Sequence, residues 1–121
     1  MEKIFNLLSK KIFKYSKIKS IFLDTKLNEI DFCNLLSILC LKFMLTNNTS
    51  YNLCDVVMNN LYVFMLTNNK IGNSKFPEPA FSIYLAFDEG EYYHVNDSLG
   101  TNQKIMYTIP MLDEIKIKFD L

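Results

Sequence analysis

The chain has 121 residues, half of them hydrophobic, with 10 Phe, 7 Tyr and only 3 Gly and 3 Pro. That excludes a disordered or fibrous polymer and leaves one globular domain able to bury about two-thirds of its unfolded surface. Thirteen lysines and no arginine balance thirteen acids, so the guanidinium fork that reads phosphate and guanine is missing, and nucleic acid is not an expected partner.

The charge is unevenly placed. Residues 1–26 hold seven lysines against Glu2 and Asp24, and residues 27–121 hold six lysines against eleven acids. The two parts therefore carry +5 and −5, which implies self-complementary packing or two differently charged surfaces. The heavy use of Lys, Asn and Ile fits an A/T-rich gene, and it weakens any reading of one Lys or Asn as selected for chemistry.

The first 17 residues lack an uninterrupted apolar stretch and a small-residue cleavage site, so no signal peptide is expected. Residues 2–23 read as one or two amphipathic helices, with Ile4, Leu7, Leu8 and Ile12 on one face and Lys3, Lys10, Lys11 and Lys14 largely elsewhere. Such a helix suits an anionic membrane surface or a partner. The preferred reading is a surface helix covering its own core, and membrane contact is not expected.

Thr25, or Asn28 with Asp31, is expected to cap a second helix reaching about Leu45, with Phe32, Leu35, Leu36, Leu39 and Phe43 as its stripe. Its most apolar run, residues 32–45, falls short of the roughly 20 residues that span a bilayer. A third helix is expected over 53–66. The pentapeptide MLTNN occurs at 44–48 and 65–69 and reads as a repeated helix stop. Cys33 and Cys40 would stand about 10 Å apart along a helix axis, beyond the reach of a disulfide. With Cys54 they form an odd set without a C-x-x-C pair, so buried thiols in a reducing compartment are expected, with no metal or cofactor.

Beyond residue 80 the apolar period changes from 3.6 to 2. Phe81, Ile83, Leu85 and Phe87 alternate with Ser82, Tyr84 and Ala86, which reads as a half-buried strand. Asp88, Glu89 and Gly90 read as a hairpin loop with Gly90 left-handed. Residues 91–95, 104–109 and 114–119 complete an antiparallel meander. The expected architecture is α+β: one domain over 1–121, with a helical layer at 1–69 packed on a sheet layer at 80–121. Exposed edges of the meander would leave room for a homodimer.

The octapeptide FDEGEYYH, residues 87–94, gathers three carboxylates, two tyrosines and the only histidine. Catalysis would require a nucleophile beside His94, and none is visible; a His94–Asp97 pair is available but insufficient. Asp88, Glu89 and Glu91 do not follow an EF-hand pattern. The plainest reading is a solvated tip. The sharper one is a partner-binding surface of Asp88, Glu89, Glu91, Tyr92, Tyr93 and Asp97, where acids steer a basic partner and tyrosines anchor it.

Residues 84–94, YLAFDEGEYYH, through 107–115, YTIPMLDEI, resemble the immunity proteins of bacterial toxin systems, including contact-dependent growth inhibition. The resemblance implies a stoichiometric inhibitor that binds and blocks its cognate toxin domain. The acidic surface suits a basic target such as a nuclease active site, and the chain is expected to be cytoplasmic and not an enzyme. The alternatives from sequence are a phage or viral accessory protein that binds a host defence component, and a lysine-rich membrane-surface protein.

Overall fold

The computed structural model describes residues 1–46, 51–72 and 75–121. Helix α1 (Glu2–Leu8) and helix α2 (Tyr15–Thr25) are joined by residues 9–14. Helices α3 (Glu29–Thr46) and α4 (Tyr51–Thr67) are the long elements, followed by a single turn, α5 (Asn69–Gly72). Helix α6 (Ala80–Glu89), a π-helix (Lys104–Thr108) and helix α7 (Ile109–Lys118) complete the chain.

The expected α+β architecture is overturned. The protein is all-helical, 72% helix, with no strand among the described residues. The first expected strand is α6, the third is the π-helix and the fourth lies within α7; residues 91–95 are turn and irregular chain. Burial shows why. In α6, Ala80, Ile83, Ala86 and Phe87 are buried, at spacings of three, six and seven, whereas Leu85 is 40% exposed. In α7, Leu112 and Ile115 face in and Ile117 is 81% exposed; alternation would have buried both isoleucines. The segment AFSIYLAF is apolar on nearly every side, so a period of 2 and a period of 3.6 both fit it.

Local signals set several ends. The Asn28 side-chain oxygen accepts the Asp31 N–H at 2.8 Å, capping α3. At the second MLTNN copy, the Asn68 carbonyl accepts the Gly72 N–H at 2.7 Å and the helix ends at Thr67. The stop expected at the first copy falls partly on residues 47–48, outside the described residues.

Helices α3 and α4 form the middle layer. At about 100° per residue, Phe32 and Phe43 lie on the opposite side of α3 from Asn34 and Leu41. Phe32 meets Phe22 of α2 and Phe43 meets Phe5 of α1, whereas Asn34 accepts the Ala80 N–H of α6 at 3.1 Å. In α4, Asn60 and Phe64 turn toward α1 and α2, and Tyr51 and Tyr62 turn toward α6. Helices α1 and α2 thus cover one face of the middle layer, while α6 and α7 cover the other, with the π-helix packed on α6 and α7. Phe22, Phe32 and Phe64 meet with ring centres 5.1–5.2 Å apart. Each fully buried ring contributes roughly 1.5–3 kcal/mol. No described helix is long and apolar enough to cross a membrane.

Candidate functional site

Residues 87–94 straddle the end of α6. Asp88 and Glu89 sit in its last turn, where the negative pole of the helix opposes each by roughly 0.3–1 kcal/mol. Gly90 follows with φ −84°, so it is not the left-handed corner of a hairpin. Close approach explains it instead. A Cβ there would stand 2.2 Å from Thr108 Oγ1 and 3.1 Å from the Tyr51 hydroxyl. Thr108 donates its hydroxyl to the Ala86 carbonyl at 2.7 Å, and Tyr51 donates its own to the Phe87 carbonyl. The two bonds hold the end of α6 between α4 and the π-helix.

Asp88 and Glu91 meet a third acid, Asp55 of α4. Asn59 bridges the group, donating to Glu91 Oε1 at 3.2 Å and to the Asp55 carbonyl at 3.0 Å. Burial, reinforced by a hydrogen bond and charge from Glu91, pushes the Asp55 carboxyl up to about 8. Burial and the Glu91 charge raise Asp88 as well. The cluster therefore holds a proton at neutral pH. The ammonium of Lys104 lies 5.1 Å from the Tyr51 ring centre at its margin.

His94 centres a second group, which pins the connector between α6 and the π-helix. Its Nε2 meets Glu89, and its backbone N–H donates to Asp97 Oδ2 at 2.8 Å. Its Nδ1 stands 3.6 Å from the same carboxylate oxygen. The ring stacks on Tyr92 at 4.8 Å and meets Tyr107 tilted at 37° with centres 3.7 Å apart, and Tyr107 donates its hydroxyl to Asp97. That hydroxyl, then the His94 N–H, hold the Asp97 carboxyl below its usual range. The same bond pushes the Tyr107 phenol up to about 12, keeping it protonated and non-nucleophilic.

Of the six expected contact residues, Asp88, Glu91, Tyr92 and Tyr93 lie together at the surface, with Tyr93 58% exposed. Glu89 and Asp97 are engaged with His94, and the Asp97 side chain is only 6% exposed. Sequence reasoning missed Asp55 and Asn59, more than thirty residues away, and the exposed apolar side chains of the same connector. Val95 and Leu99 are fully exposed, and Ile105 and Met106 of the π-helix are more than half exposed. The lone acid in the otherwise uncharged stretch 53–66 was the available signal for Asp55.

The cysteines lie in the core, and burial pushes the Cys33 thiol up to about 12 and raises Cys40. Among the described residues, no group of three or more His, Cys, Asp or Glu is arranged to hold a metal ion. The open cavity of about 230 Å³ between α6 and α7 is lined by Leu85, Met111 and Ile115 among others, and includes no residue of the octapeptide. No family model, curated protein or solved structure matches the chain.

Proposed function

We propose that the chain is an immunity-type interaction protein of the cytoplasm, which binds a cognate toxin domain and covers a basic active surface such as that of a nuclease. One observation carries the reading: a connector pinned by the His94 group presents Tyr92, Tyr93, Val95 and Leu99 to solvent beside Asp88 and Glu91. Exposed apolar side chains rimmed by one sign of charge are what a partner-binding surface requires, with the acids raising the encounter rate and the rings supplying rigid contact area. Asp88, kept at the unfavourable end of α6 beside Glu91, points the same way.

The test is co-expression and co-purification with candidate toxin domains drawn from the neighbouring genes. Val95→Asp and Glu91→Lys, both at exposed positions, are expected to weaken binding at least about tenfold each while far-UV circular dichroism stays unchanged. Binding that survives both substitutions rejects this surface.

A further inference from the structure

The opposite face of the molecule carries the opposite charge and its own exposed apolar tip. Residues 9–14 join α1 to α2, and a buried side chain of α4 shapes them. Asn60 donates to the carbonyls of Leu8 at 2.8 Å and Lys11 at 2.9 Å, and accepts the Phe13 N–H at 2.8 Å. With its backbone drawn inward, the connector turns Lys10, Lys11, Ile12 and Lys14 out to solvent. Ile12 is 53% exposed and Leu7 of α1 is 37% exposed. Among the described residues no carboxylate pairs with any lysine of residues 1–26.

We infer that this tip docks the protein on an anionic lipid bilayer, with Ile12 entering the interface and Lys10, Lys11 and Lys14 meeting the headgroups. Charge complementarity identifies an anionic occupant, and side-chain chemistry selects the bilayer over a nucleic acid. A nucleic-acid site stacks bases on exposed aromatic rings and grips phosphates with arginine forks. Here the exposed apolar group is aliphatic, the Phe13 ring is half-buried against the core with the Lys11 ammonium 5.5 Å from its centre, and the chain has no arginine. An aliphatic side chain ringed by flexible ammonium groups is suited to headgroup depth, where lysine stems bury and charges stay wet. Bound this way, the acidic surface at the far side of α3 and α4 faces away from the bilayer and stays free.

The full-length protein is sedimented with vesicles of phosphatidylcholine containing about 30 mol% phosphatidylglycerol, and with phosphatidylcholine alone. Binding to the anionic vesicles only is expected, falling steeply between about 0.05 M and about 0.5 M salt. Replacing Lys10, Lys11 and Lys14 together by Gln is expected to weaken it on the order of a hundredfold, at about fivefold per lysine. Ile12→Glu is expected to weaken it at least about tenfold. All four side chains are exposed, so circular dichroism is expected to remain that of the parent. Absence of binding to anionic vesicles overturns the inference. So does binding indifferent to Ile12→Glu, or retention of an RNA or DNA oligonucleotide in place of vesicles.

Discussion

Asp55 couples the fold to the acidity of the medium. Its carboxyl titrates near 8 in the folded protein, raised by burial and Glu91, against an ordinary value of about 3.9 when unfolded. Between about pH 4 and pH 8 the folded chain keeps a proton that the unfolded chain releases. The unfolded state therefore binds fewer protons, and this group's contribution makes stability fall as pH rises through that window and level off above it. Asp55→Asn keeps the shape and removes the titration. Thermal melts of both proteins at intervals from pH 5 to pH 9 are expected to diverge, the variant gaining on the parent as pH rises. Parallel curves would rule the buried proton out. Asp97 has the opposite sign: its lowered carboxyl adds stability that is lost as pH falls through its folded value. At this scale the octapeptide was legible as chemistry, because its acids and tyrosines are adjacent in the chain. The partners that set its protonation were not, because Asp55 and Asn59 reach it only through the packing of α4 on α6.

At the scale of elements, the junction of α6 with the π-helix rests on a glycine with no special backbone conformation. The space that its missing Cβ leaves is filled by the Thr108 hydroxyl. Gly90→Ala is expected to destabilise by about 1–3 kcal/mol through overpacking. In a Thr108→Ala background the same change is expected to cost at least about 1 kcal/mol less, since the two sites share one space. Urea denaturation of the four proteins of this cycle measures the coupling, and additive effects would remove Thr108 as the cause. The junction also shows why the C-terminal third misled. Strict alternation in residues 114–119 and near-continuous apolarity in 80–87 satisfy the strand period, yet short apolar runs satisfy the helical period too. The first two-thirds of the chain raised no such conflict. There Phe32, Leu36 and Phe43 recur at helical spacing over 18 residues of α3, and Asn28 and Asp31 mark its start.

At the scale of the whole molecule, α3 and α4 are covered from both sides, and the three thiols of these two helices are buried. Cys40 and Cys54 each direct their sulfur to the other's backbone carbonyl, at 4.0 and 3.8 Å, with no surface exposed. A thiol reagent is therefore expected to label all three cysteines only at the rate of global unfolding, with no fast phase in native buffer. Labelling of even one thiol within seconds would contradict this enclosure. The layering also separates the lysine-rich connector between α1 and α2 from the acidic connector that follows α6.

Composition and periodicity by themselves determined that the chain is globular, that helices fill its first two-thirds, that the cysteines lie in apolar surroundings and that residues 87–94 concentrate acids and tyrosines. These are properties of short windows, and local spacing suffices to encode them. Only the tertiary structure decided that the C-terminal third is helical, that Asp97 and Glu89 clamp a connector, that Asp55 joins the acids, and that basic and acidic surfaces stand back to back. Each of those depends on which face of an ambiguous segment meets α3 and α4, and burial against a neighbour, not local preference, makes that choice.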